Sequence, residues 1–315
     1  MAEWQRAAQK AVKKKIKKAS GGTKAVLLVL FLLAAVGIFF FLRSRGEKTP
    51  APAPLPKTEQ NALVLHQIDC GQGDAAVAVL PDGKTILIDT GTQASAATVT
   101  AYLENLGIEA IDLAVFTHPH EDHIGGARAV LKAFSVREVL LPDAAHDTAL
   151  YEKLLVAIDE EPDCTPHIVE PGQTYTVGEA KLRILGPIGN DYKNLNNYSI
   201  VSKLIFKDVS FLFTGDAETL SEKEILSSPY ADELSADVLK VGHHGSSGST
   251  SAAFLTAVSP SYALISVGEG NDYGHPADQT LKRLEKKGVL TYRTDLCGTV
   301  RVITDGTGLR VETER

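Results

Sequence analysis

From Asn61 onward, short apolar runs alternate with glycine-rich turns. Leu63–Asp69 (LVLHQID), Ala75–Leu80 and Thr85–Ile88 read as three strands. They are divided by Cys70-Gly71-Gln72-Gly73-Asp74 and by the hairpin turn Pro81-Asp82-Gly83-Lys84. Residues 95–106 space Ala, Val, Tyr and Leu as a helix does. Ala110–Phe116 is an apolar strand, Ala127–Phe134 a helix after two glycines, and Val136–Leu141 a strand. The second half pairs Tyr175–Val177 with Ala180–Leu185 and Ser199–Phe206 with Ser210–Phe213 as hairpins. Strands follow at Asp237–Val241, Tyr262–Val267, Thr291–Arg293 and Thr299–Thr304. This order implies an α/β fold, with two mixed sheets and helices outside. Strand ends repeatedly deliver His, Asp or Gly, and such ends are where open α/β sheets place their sites.

The first 60 residues follow a different pattern. Residues 1–24 form a Lys-rich block, and 25–42 (AVLLVLFLLAAVGIFFFL) is an unbroken apolar run. That run is long enough for one transmembrane helix and has no polar face. The basic block outweighs Arg43, Arg45 and Lys48 beyond it, which predicts a cytoplasmic N-terminus and an extracytoplasmic remainder at the cell membrane. The alternative is a long signal peptide, cleaved to release the protein. Residues 43–60, rich in Pro and Ala, read as a linker. Residues 61–315 suffice for a single domain.

Charge sharpens the division. Residues 1–60 hold 12 basic and 3 acidic residues, and the remainder holds 20 and 36. An acidic outer domain argues against broad capture of nucleic acid. Its densest basic group is Lys282-Arg283 with Lys286-Lys287, read as a solvated helix face. Cys70, Cys164 and Cys297 match no zinc-ribbon spacing, and Cys70 and Cys297 read as small buried residues.

The chemistry concentrates in Thr117–His123 (THPHEDH), at a strand end before a helix. Three imidazoles and a carboxylate in the order H-x-H-x-D-H are the donors a borderline divalent metal takes. Further candidates are Asp216 after an apolar strand, the pair His243-His244, and His275 before Pro276. If the pair lies on an extended segment, its two side chains point to opposite sides and one alone is a ligand. His243 is favoured, being nearer the strand. His244 is then a candidate proton donor to a leaving group or a phosphate-holding group, with a structural role behind the ligands as the alternative. His275 is placed to stabilise charge. Glu218 reads as a helix-start carboxylate. Ser246, Ser247, Ser249, Thr250 and Ser251 form a polar loop with donors for a phosphate oxygen.

Seven segments together resemble the metallo-β-lactamase family, and within it the hydrolase domain of ComEC-type DNA-uptake proteins. They are DCGQGD (69–74), IDTG (88–91), THPHEDHIGG (117–126), NNYS (196–199), LFTGD (212–216), LKVGHHGS (239–246) and YGHP (273–276). The resemblance implies a four-layer αββα sandwich with two divalent metal ions, zinc or alternatively manganese, at one edge. It implies that His118 and His120 bind the first ion, that Asp122, His123 and His243 bind the second, and that Asp216 bridges both. Asp122 then also belongs to the catalytic centre, with His244 and His275. Asp74 and Asp89 stand behind the ligands. Asn197 stands where many members have a further histidine.

On this resemblance the expected function is a membrane-anchored phosphodiesterase or nuclease, related to DNA uptake and acting on single-stranded DNA beside the uptake machinery. The alternatives are hydrolysis of a small phosphodiester of phosphocholine type, of a lactone or of a β-lactam. The non-enzymatic alternative is an anchored binding module.

Overall fold

A computed structural model of the protein describes residues 61–144 and 148–315. The expectations for 1–24, 25–42 and 43–60 lie outside the described residues, as does His146. Among the described residues, no helix is long and apolar enough to cross a membrane.

The apolar runs form two sheets. The first contains β1 (Leu63–Gln67), β2 (Ala75–Val79), β3 (Thr85–Thr90), β4 (Ala110–Val115), β5 (Ser135–Leu141), β6 (Thr165–Ile168), β14 (Val300–Thr304) and β15 (Leu309–Thr313). Its order is β15-β14-β1-β2-β3-β4-β5-β6. The second contains β7 (Thr174–Val177), β8 (Ala180–Gly186), β9 (Val201–Phe206), β10 (Val209–Phe213), β11 (Val238–Lys240), β12 (Tyr262–Ile265) and β13 (Leu290–Arg293). Its order is β13-β12-β11-β10-β9-β8-β7.

Each sheet has one parallel half. β3 to β6 run parallel, with Ile88 opposite Val115. β10 to β13 run parallel, with Phe213 opposite Lys240 and Lys240 opposite Leu264. Parallel strands end on the same side, so the loops leaving β3, β4, β10, β11 and β12 share one rim. Asp89 stands at the end of β3, and the loops carry the histidine motif, Asp216, the His243-His244 pair and Ser266.

Strand alternation builds the layers. Ile86 and Ile88 enter the apolar layer between the sheets, with Leu113, Val115, Phe206, Phe211, Phe213 and Leu264. Leu87 points the other way, beneath helices α1 (Ala96–Asn105), α3 (Ala127–Ala133) and α4 (Ala149–Glu160). The far face of the second sheet is covered by α5 (Thr219–Leu226), α6 (Ala252–Val258) and α7 (Asp278–Lys286). Fully burying a side chain such as Phe213 or Leu264 contributes roughly 1.5–3 kcal/mol. Short α2 (Glu121–Ile124) and α8 (Thr294–Cys297) complete the set.

Two edge strands lie outside the sequence reading. β6 contains Pro166, which has no N–H to donate and is tolerated only at a sheet edge. β15 is a second edge, mostly half-exposed, and so lacks a strong apolar signal. All three cysteines are free; Cys70 is buried, whereas Cys297 is only half-buried.

The turn after β1 is pressed against α2. Asp74 N donates to Asp122 O at 3.0 Å, and a Cβ on Gly73 would lie 2.5 Å from that oxygen. Gly73→Ala is therefore expected to cost about 1–3 kcal/mol through overpacking. A urea-denaturation midpoint measures it, and an unchanged midpoint would show that the turn can withdraw freely.

Candidate metal centre

Asp216 stands at the middle of the shared rim. It follows β10 through Thr214 and Gly215, its backbone N–H donates to Ser199 Oγ at 2.9 Å, and its side chain is buried. Its two oxygens face different imidazoles. Oδ1 lies 3.2 Å from His123 Nε2 and 3.7 Å from His244 Nε2. Oδ2 lies 3.5 Å from His243 Nε2 and 3.9 Å from His118 Nε2. His118 Nε2 in turn meets His120 Nδ1 at 3.1 Å.

On the Oδ1 side, Asp122, His123, Asp216 and His244 offer donor atoms all within 4.8 Å of one another. His244 Nε2 is 3.1 Å from Asp122 Oδ2. His123 Nε2 and Asp216 Oδ1 are buried and have no hydrogen-bond partner. Orphaned lone pairs in an enclosed place are costly unless something accepts them. These residues therefore fit a divalent ion, and nitrogen and carboxylate donors suit zinc.

The ring nitrogens facing away are also fixed. His123 Nδ1 meets Asp89 Oδ2 at 2.7 Å. Asp89 is buried, sits at φ 57°, and also accepts from Thr117 N at 2.8 Å and Thr117 Oγ1 at 2.7 Å. His244 Nδ1 meets the Ser266 carbonyl at 2.9 Å. Each contact selects the tautomer whose Nε2 lone pair points inward. A proton competes for that His123 lone pair: burial works against a charged ring, but the Asp216 and Asp89 carboxylates hold its imidazolium well above the ordinary value. Burial likewise opposes the Asp216 anion, yet His123 and His244 keep it well below the usual carboxylate range. Carboxylates packed this closely call for positive charge, from a proton or from an ion. Asp89→Asn is expected to weaken zinc binding about 10–100-fold. Calorimetric titration measures this, and unchanged affinity would remove Asp89 from the site.

The places expected for His243 and His244 are exchanged. His244, not His243, joins Asp122 and His123. His244 is buried and both its nitrogens face fixed partners, so its geometry does not suit a proton donor to a leaving group. The extended segment assumed for the pair is absent. His243 has φ 51° and His244 φ 52°, and this left-handed turn swings both rings toward Asp216.

Asn197 is also relocated. Its Oδ1 accepts from Glu218 N and Ser221 N, both at 3.3 Å, and so caps the start of α5. Asn196 faces the site instead. Its Nδ2 is 3.2 Å from Glu218 Oε1 and 3.4 Å from His243 Nδ1, and its buried Oδ1 has no partner. The Ser-rich loop is largely self-satisfied. Thr250 Oγ1 accepts from Gly242 N, Ser251 Oγ accepts from Phe254 N, and Glu222 accepts from Thr250 N and Ser251 N. Arg283 leaves the expected solvated face and donates to Ser249 O at 2.9 Å, which fixes that loop.

His275 stands at the mouth. Its ring is 5.4 Å from that of His243 and stacks 5.9 Å from Tyr273, which is 71% exposed. Asn271 clamps this segment through His275 N and O and Tyr273 N. Burial, then His243, lowers the His275 pKa, so it offers an N–H more readily than a charge.

Residues 68–269 match the model of the metallo-beta-lactamase superfamily. The chain belongs to this superfamily. As a metallo-beta-lactamase chain it is similar to "ComE operon protein 3" of Bacillus subtilis (strain 168), 32% identical over 254 residues, which cover 75% of this chain and 32% of that protein. It is also similar to "Competence protein ComA" of Neisseria gonorrhoeae, 31% identical over 284 residues, 88% of this chain and 38% of that one. The chain thus spans about a third of the length of these relatives. Two solved structures share the metallo-beta-lactamase fold. YhfI of Bacillus subtilis has a TM-score of 0.50 at 13% identity, covering 74% of this chain and 95% of its own. CmlA, a diiron β-hydroxylase of Streptomyces venezuelae, has 0.50 at 17%, covering 85% and 55%.

Three residues of this metallo-beta-lactamase centre escaped the sequence reading. Ser266 acts through its carbonyl, which any residue has. Asn196 adjoins the wrong candidate. Lys240 ends an apolar strand, and its burial is the one signal that marks it.

Proposed function

We propose that the chain is a dinuclear metal-dependent phosphodiesterase, held at the outer face of the cell membrane by residues 25–42. The observation that carries this reading is the division of Asp216, one oxygen toward His123 and His244 and the other toward His118 and His243. Asp122, His123, His244 and Asp216 would hold one ion. His118 and His120, with Asp216, would hold the other. Bound there, the ions supply Lewis acidity and a nucleophilic water.

The chain's own groups orient and select. Asp89 and the Ser266 carbonyl keep the two Nε2 lone pairs inward. His243, beside Asn196 and Glu218, lines the half-open side of Asp216 and is 23% exposed. His275 presents an N–H to an entering anion. Single-stranded DNA, beside an uptake apparatus, is the substrate we propose from the resemblance to ComEC-type proteins; one relative bears the name of a competence protein. A small phosphodiester is the second reading, favoured by exposed Glu269 and Asp272 next to Tyr273 at the mouth, which repel a long polyanion.

The test uses the full chain in detergent, stripped of metal and reloaded with zinc or manganese. Single-stranded DNA, a small phosphodiester and a β-lactam are assayed side by side, with His120→Ala/His123→Ala as control. Metal-dependent cleavage of DNA or of the small diester, lost in the control, is expected. Cleavage of the β-lactam alone, or of nothing with both ions bound, would overturn the phosphodiesterase reading.

A further inference from the structure

Lys240 lies where a core residue belongs. In β11, Val238 faces the layer between the sheets and Leu239 faces the helices. Alternation therefore sends Lys240 inward beside Val238. It is 4% exposed. Its Nζ lies 2.5 Å from Asp74 Oδ2 and donates to Val241 O at 2.9 Å. Lysine is almost never buried like this without a partner.

Asp74 connects this ammonium to the centre. Its Oδ1 is 3.6 Å from His244 Nδ1, and its Oδ2 is 3.9 Å from His123 Nδ1. The Asp74 backbone is tied to Asp122 O at 3.0 Å and to Gly91 N at 2.7 Å. Lys240 is thus one carboxylate away from both inward-facing imidazoles.

The charges around this floor can be counted. Asp74, Asp89, Asp122 and Asp216 bring four negative charges, which two divalent ions would balance. Lys240 is then the surplus. Glu218 is outside the count because its carboxylate is not among the donors that converge with Asp122, His123, Asp216 and His244; its Oε1 meets Asn196 Nδ2 and His243 Nδ1 at the rim instead.

We propose that Lys240 is a positioning residue whose fixed positive charge gives the metal-loaded centre its affinity for an anion, the phosphodiester or a phosphate product. This rests on the dinuclear reading. A merely structural role for the Lys240–Asp74 pair predicts that breaking it from either end is equally harmful. The charge role predicts opposite signs. K240M removes the surplus, whereas D74N doubles it.

The experiment measures the dissociation constant of inorganic phosphate on the zinc-loaded full chain, with zinc stoichiometry and melting temperature recorded for each variant. A unit charge about 12 Å from an anion, at an effective dielectric of about 20, is worth roughly tenfold in affinity. K240M is expected to bind phosphate about tenfold more weakly and D74N about tenfold more tightly, with D74N/K240M near the unsubstituted protein. Weaker phosphate binding in both single variants, or no change in either, would overturn the proposal. Should K240M fail to fold, D74N decides alone: tighter binding supports the charge role, and equal or weaker binding sinks it. Failure of the unsubstituted protein to take up two zinc ions would count against the dinuclear reading itself, a result separate from these.

Discussion

Asp216→Asn is expected to keep the fold and lose phosphodiester hydrolysis by about a thousandfold or more. The carboxylate has two equivalent oxygens, directed at two groups of imidazoles. An amide has one oxygen, and its NH₂ cannot take a lone-pair ligand's place. The substitution also removes a buried negative charge that His123 and His244 stabilise. Loss of one ion forfeits several kcal/mol of transition-state stabilisation, and each ~1.4 kcal/mol is tenfold in rate. The measurement is kcat on a small diester together with bound zinc per chain. Stoichiometry is expected to fall from two toward one. A variant that binds two ions and turns over normally would show that Asp216 bridges nothing.

Removing metal is expected to lower the melting temperature by about 10 °C or more. Asp74, Asp89 and Asp216 are buried within one small region, and the groups that could hold an ion follow strands of both sheets. An ion present at a hundred times its dissociation constant stabilises the native state by about 2.7 kcal/mol. In a domain of this size each kcal/mol moves the midpoint by roughly 2–4 °C. Two ions therefore give a shift that scanning calorimetry resolves easily. Chelation followed by readdition of zinc measures it. A midpoint indifferent to chelator would mean that protons satisfy the cluster as well as ions do.

The fold was largely legible because its signals are local. Apolar runs of four to seven residues between glycine turns gave the central strands, and Thr117–His123 announced its own chemistry. The weak points were those set by neighbours. β6 carries Pro166 and becomes a strand only because β5 offers it an edge. The order of His243 and His244 depends on a left-handed turn, and their residue types carry no mark of that conformation. Asn196 and Asn197 are identical in the sequence, and α5 decides which of them caps a helix and which faces the site. Lys240 reads as an ordinary strand-end lysine until Asp74 is brought beneath it by a sheet more than 160 positions earlier.

Asp122 and His123 belong to the first sheet's loops, Asp216 and His244 to the second's, so metal affinity belongs to neither half of the chain. A fragment ending before β9 carries the full histidine motif and still lacks the carboxylate that completes it. On the dinuclear reading, a complete ion site therefore reports that both halves of the domain have folded together.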